Sequence, residues 1–204
     1  MADTIVNGKN HNGHIYRKRW KVYTGISTTL FAVSLLLNYC VYSHFQSKKQ
    51  DIRYAFVLSE EFANNGFSVG TSVIYEIIKE GRPIVNKWFK KKEFNINDIL
   101  IIGCIESSYR CEAVGSCGEV GLFQILVPEE SLRRIKTTKE YDFYDIPLNI
   151  EMCCDMLNQK FVWKKNRKDA IIAYNGSVLY WDKYKRIKKI VDAASHRMNY
   201  KLKI

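Results

Sequence analysis

Three short stretches, Glu106-Ser107-Ser108-Tyr109, Gly121-Leu122-Phe123-Gln124 and Ala173-Tyr174-Asn175-Gly176, follow one another in that order. Between them they hold a carboxylic acid, several hydroxyls and two side-chain amides. Splitting a glycosidic bond needs such a set: an acid to protonate the departing oxygen, and polar groups to hold a sugar as its ring gains oxocarbenium character. The acid must keep its proton near neutral pH, and partial burial against apolar neighbours does this by disfavouring the charged form. Glu106 closes the apolar run Ile99-Leu100-Ile101-Ile102-Gly103-Cys104-Ile105 and meets the polar Ser-Ser-Tyr edge. The other reading is a solvated glutamate at a helix end. That end carries partial negative charge, so a carboxylate there stands against its local preference, which is a mark of function.

The other two stretches carry weaker signals by themselves. Gln124 offers an amide donor and acceptor to a saccharide, although Gly-Leu-Phe-Gln is also an ordinary loop-to-helix junction. Tyr174 supplies a phenol and Asn175 an amide, while Asn175-Gly176 equally suits a left-handed helix cap.

The elements that must position these groups read as helices. Asn97 is expected as the N-cap of the apolar helix, with Asp98 in its first turn to complement the dipole. That helix is apolar almost all round and belongs in the domain centre. Val73, Ile74, Ile77 and Ile78, then Val85, Trp88 and Phe89, suggest two short helices over 71–92, broken at Gly81-Arg82-Pro83. Residues 110–120 read as a loop, and a helix is expected from Ile125 through Pro128 to Arg134. Pro147-Leu148-Asn149-Ile150 opens another. Lys168–Tyr174 and Tyr184–Met198 complete a mainly α fold.

Taken together, the three stretches resemble the soluble lytic transglycosylase (SLT) family of peptidoglycan-cleaving enzymes, which have a lysozyme-like fold. The resemblance covers roughly residues 96–193. Gly118-Glu119-Val120-Gly121-Leu122-Phe123-Gln124 is similar to the family's Gly-Ala-x-Gly-Leu-Met-Gln. Ala173-Tyr174-Asn175 matches its Ala-Tyr-Asn, and Asn149-Ile150 resembles its Asn-Ile pair. Phe123 replaces the usual methionine, and Glu119 replaces a small residue. The resemblance implies cleavage between N-acetylmuramic acid and N-acetylglucosamine, with Glu106 as both acid and base and a 1,6-anhydro sugar as product. It carries Ser107 over as a helper, makes Ser107, Gln124, Tyr174 and Asn175 substrate-binding, and requires no cofactor or metal. Two rivals stand beside this. One is a hydrolase of the same fold, in which Glu119 or Glu112 activates water. The other is a non-catalytic, glycan-binding component of an envelope-spanning machine.

The net charge of +11 points to an anionic partner. Nucleic acid is not expected, because no zinc-finger spacing or RNA-binding signature is present. No charged residue lies between Lys21 and His44, so a transmembrane helix is expected over 22–43, uncleaved and preceded by Arg17, Lys18, Arg19 and Lys21. The basic cluster favours a cytoplasmic tail at 1–21 and an exported C-terminal part. Residues 44–95 then read as a helical spacer and 96–200 as a lysozyme-like catalytic domain. Expected partners are glycan strands, the lipid membrane and an envelope-spanning assembly of the secretion, conjugation or phage kind, with a virion membrane as the alternative location. Of six cysteines, Cys40 falls in the apolar segment, and the remaining five cannot all pair internally. Cys111 and Cys117 flank the glycine-bearing loop and are the candidate disulfide. No histidine lies in the motif region, which argues against a catalytic cysteine, and no spacing resembles a zinc site.

Overall fold

The computed structural model describes residues 12–91, 93–126, 142 and 144–201, with side chains from residue 28 to residue 198. Helix α1 spans Asn12–Asn64. The chain divides into two compact units, Met1–Lys48 and Lys49–Ile204.

In the first unit the described residues are helical. Leu30, Phe31, Leu36, Leu37 and Val41 are all exposed. The expected membrane span over 22–43 is not supported: among the described residues no helix is long and apolar enough to cross a membrane. Ser34, Asn38 and Ser43 dilute the apolar run, and Ser43 Oγ turns back to donate to Cys40 O at 2.9 Å. Of the tail expected over 1–21, residues 1–11 lie outside the described residues, as do the side chains of 12–27.

The second unit begins with the end of α1, which buries Ala55, Leu58 and Phe62. After a turn at Asn65-Gly66 come α2 (Thr71–Trp88) and α3 (Ile96–Ser107), then β1 (Glu119–Val120) and β2 (Ile125–Leu126). Among the described residues three further helices follow: α4 (Ile146–Lys164), α5 (Arg167–Asn175) and α6 (Leu179–Lys201). α2 packs on α3 and α4, α5 joins α4 to α6, and α3 packs along α6. Residues expected as a spacer therefore share one core with the catalytic region; Ile74, Ile77, Ile78, Phe89 and Phe94 are fully buried or nearly so.

Pro83 does not split α2. An interior proline costs a helix about 3 kcal/mol. Here that cost is offset by a continuous buried face of Ile74, Ile77, Ile78, Gly81 and Val85, each aliphatic side chain contributing about 1.5–3 kcal/mol. Gly81 lets the helix come close to its neighbours: a Cβ there would lie 2.8 Å from Ile96 Cδ1 and 3.3 Å from Ile150 Cδ1.

α3 begins two residues earlier than expected. Asn95, not Asn97, is the N-cap, and its side chain accepts from Asn97 N–H at 2.9 Å. Asp98 completes a capping box by accepting from Asn95 N–H at 2.8 Å. It does more than complement the dipole. Asp98 is fully buried, and its other oxygen accepts from both the Arg167 guanidinium and the Tyr184 hydroxyl. One carboxylate thus ties the starts of α3 and α5 to α6. The expected helix from Ile125 to Arg134 begins instead as strand β2, and its residues from 127 on lie outside the described residues.

Asp98→Asn removes the charge that Arg167 and Tyr184 were placed to meet. Arg167 is 39% exposed, so the loss of these charge-assisted hydrogen bonds should cost roughly 2 kcal/mol. Urea denaturation should read this as a lower midpoint with an unchanged slope.

Candidate active site

The hairpin β1–β2 turns through Gly121-Leu122-Phe123-Gln124, with Val120 opposite Ile125 and Glu119 opposite Leu126. Gly121 has φ +78 and Gln124 φ +48, so both ends of the turn are left-handed. Glycine meets that demand without strain; Gln124 does not, and must be held. Three side chains hold the turn. Ser107, at the end of α3, donates from Oγ to Leu122 O at 2.9 Å. Tyr174, near the end of α5, donates to Phe123 O at 3.1 Å. Asn149, in the first turn of α4, accepts from Phe123 N–H at 2.8 Å. The three sequence stretches meet here, through backbone.

Glu106 lies one residue before the end of α3, half-buried beside this turn. Burial pushes its carboxyl above the ordinary 4.5. Tyr180 and Lys183 pull it back down, Glu119 raises it through like-charge repulsion, and Asn175 lowers it slightly. Glu106 Oε1 and the Tyr180 hydroxyl are both buried without a well-aligned hydrogen bond among the described residues. Burial also holds the Tyr180 phenol well above its ordinary pKa, so it keeps its proton as a potential donor. The site therefore pairs an acid that resists ionisation with a phenol close by, and each has bonding capacity left.

The sequence-derived candidates divide into two groups. Asn175 and Glu119 each lie close enough to Glu106 to act on its carboxyl. Asn175 is exposed. Ser107 and Tyr174, expected to bind substrate, are buried and occupied with turn carbonyls, so their place is structural support beneath the site. Gln124 is also engaged: Nε2 donates to Gly121 O at 3.0 Å and Ala113 O at 3.3 Å. Glu119 accepts from Cys117 N–H at 3.0 Å and so closes the loop before the hairpin. Glu112 is exposed on that loop. Cys111 and Cys117 are free thiols, the first half-buried and the second exposed. The expected disulfide is not formed. The loop is closed instead by Gly115 N–H to Glu119 O at 2.7 Å and Gly121 N–H to Ala113 O at 2.8 Å. Among the described residues no group of His, Cys, Asp or Glu could hold a metal ion.

The Transglycosylase SLT domain model matches residues 83–196, more than half of the chain. The chain belongs to this family. No curated protein and no solved structure matches it. At the family level this is a transglycosylase-type enzyme, and its SLT domain implies peptidoglycan as the substrate. The SLT match starts within α2 and ends within α6, so it takes in the whole turn clamp together with Glu106 and Tyr180.

Tyr180 and Lys183 were not legible as site residues. Both belong to the first two turns of α6, in a stretch with no motif of its own. The available signal was period: Tyr180, Tyr184, Ile187 and Val191 make one buried stripe, and a tyrosine on such a stripe needs a partner for its hydroxyl.

The two roles separate experimentally. Tyr174→Phe should cost about 1–2 kcal/mol of stability, because Phe123 O loses its buried donor, whereas Asn175→Ala, at an exposed position, should leave the melting temperature nearly unchanged. Glu106→Gln should raise the melting temperature at neutral pH. The native carboxyl holds its proton to higher pH than the unfolded one, so native stability is full below the ordinary carboxylate pKa and falls as pH rises through the raised native value. The gain in the variant should therefore fade as pH drops toward 4.5 in a thermal-shift series.

Proposed function

We propose that this protein cleaves the β-1,4 bond between N-acetylmuramic acid and N-acetylglucosamine as a lytic transglycosylase, with Glu106 as its single acid and base. The observation that carries this reading is the half-buried Glu106 carboxyl, raised in pKa and holding an unpartnered oxygen at the motif junction. In the first step protonated Glu106 gives its proton to the glycosidic oxygen as the C1–O bond breaks. The ring carbon then becomes oxocarbenium-like, next to a glutamate that is now negative. In the second step Glu106 takes the proton of the muramoyl 6-hydroxyl as that oxygen bonds to C1. The glutamate ends protonated, and no water is consumed. Tyr180 can donate to Glu106 while it is ionised between the two steps.

A hydrolysing variant of this chemistry has one supporting observation. Glu119 lies close enough to raise the Glu106 pKa, so a second carboxylate is near the acid. Its bond to Cys117 N–H favours a loop-holding role over activation of water.

Glu106→Gln should lower turnover on purified peptidoglycan by roughly 10²–10⁴-fold while the chain stays folded. Mass spectrometry of the wild-type products should show anhydro-muramoyl ends, lighter by one water than reducing ends. Reducing ends, together with an equal loss in Glu119→Gln, would replace this mechanism by hydrolysis. Glycan binding by the wild-type chain without any products would leave a binding protein.

The substrate lies outside the cytoplasmic membrane, and we propose that the second unit is exported to reach it. The basic cluster at 17–21 supports a cytoplasmic N-terminus. The exposed apolar side chains from Leu30 to Phe45 suit contact with lipid. Protease added to intact spheroplasts should digest the second unit; its protection would reverse the orientation.

A further inference from the structure

The buried face of α4 is made by Ile150, Cys153, Cys154 and Leu157. Phe161 continues it by packing edge-on against Phe94, with ring centroids 5.8 Å apart. Val162 and Trp163 stand about 100° and 200° around the helix from Phe161. They are 66% and 67% exposed, so the core makes little use of them. Single exposed apolar residues are ordinary, but two large ones side by side at a helix end call for a partner.

The corner they occupy is basic. α4 ends at Lys164, and Lys165 follows with φ +57. Asn166 then caps α5, which carries Lys168 in its first turn. Lys160 lies one turn before Lys164. None of these four lysines has an ion-pair partner among the described residues. Arg167 is taken by Asp98. The carboxylate of Asp169 accepts from Asn166 Nδ2 at 2.6 Å. Helix dipoles account for part of the charge: Lys164 and Lys165 suit the negative end of α4. Lys168 stands at the positive end of α5, where a cation is disfavoured, so local structure does not explain it.

Lys164 Nζ lies 3.5 Å from the centroid of the Trp163 ring. It covers one ring face that a stacked sugar would use. A soluble polyanion would meet the lysines but leave Val162 and Trp163 in water. A membrane interface accommodates both: an indole settles at headgroup level with its N–H in the polar layer, and lysines reach lipid phosphates over their apolar stems.

We propose that the α4–α5 corner docks on an anionic phospholipid surface, with Val162 and Trp163 entering the interface and Lys160, Lys164, Lys165 and Lys168 meeting lipid phosphates. The proposal does not depend on the catalytic reading. The exposed apolar side chains of α1 can hold the full chain on lipid of any charge, so the test must report on Trp163 itself. The full chain is mixed with phosphatidylcholine vesicles carrying brominated acyl chains, with or without phosphatidylglycerol, and tryptophan quenching is read.

Phosphatidylglycerol should add quenching, and raised salt should remove the addition. The added quenching should vanish in Trp163→Phe and weaken strongly in Lys165→Gln with Lys168→Gln. Lys185→Gln with Lys188→Gln makes the same change in net charge on lysines paired with Asp182 and Asp192, and should leave it intact. All these positions lie off the core, so melting temperatures should stay close to that of the parent chain. Quenching that ignores phosphatidylglycerol, persists in Trp163→Phe, or responds equally to the two lysine pairs would overturn the proposal. So would a Trp163 emission that shifts with lipid-free glycan strands and not with vesicles, which would assign the corner to sugar. Failure of the catalytic reading shows separately, as a chain that docks on lipid but cuts no peptidoglycan.

Discussion

Ser107, Asn149 and Tyr174, from three different helices, hold two consecutive peptide groups of one tight turn. Everything at the site depends on that clamp. It sets a turn whose last residue, Gln124, is left-handed without being glycine, and it fixes where α3 ends relative to α4 and α5. Buried hydrogen bonds of this kind contribute modestly when made and cost more when one partner is removed. The clamp therefore works less as a source of stability than as a constraint on geometry. Side chains that look like substrate contacts in the sequence are bonded to backbone, and the polar groups on Glu106 and Tyr180 are left without a well-aligned partner among the described residues.

The same economy governs α3. Its residues from Ile99 to Cys104 are buried, so the helix cannot turn to bring Glu106 fully into solvent. At its start, Asp98 is fixed by a capping box and by Arg167 and Tyr184. At its end, Ser108 and Tyr109 are both left-handed, an arrangement that costs about 1–2 kcal/mol per residue. Tyr109 holds its place by donating to Leu100 O at 2.8 Å and packing edge-on against Phe62. A helix fixed at both ends keeps its penultimate carboxyl half-buried, and that burial raises its pKa.

The mainly helical fold, the buried central helix and the place of Glu106 near its end were legible because hydrophobic period and helix punctuation are local signals. Pro147 and Asn149 marked the start of α4 for the same reason. What could not be read was set by distant partners. Pro83 looks like a break until the buried face of α2 is seen to span it. Asn97 and Asn95 are equally good caps on paper, and Asp98 selects Asn95 by bonding to its N–H. Ser107 and Tyr174 were read as facing the sugar because hydroxyls in a motif invite that reading, and no local pattern reveals a carbonyl 15 or 51 residues away. Two-residue strands are too short to leave a period, so β1 was read as loop and β2 as the start of a helix.

The span of the clamp along the chain also orders the events of folding. Its hydrogen bonds close over 15, 26 and 51 residues, and each longer closure costs more chain entropy before any contact repays it. Ser107 can meet the hairpin early, whereas Tyr174 can do so only after α4 and α5 have docked. During synthesis, a chain emerging from the ribosome carries Glu106 long before it carries the tyrosine that completes the turn. The turn beside Glu106 therefore takes its final form only when the whole unit has assembled.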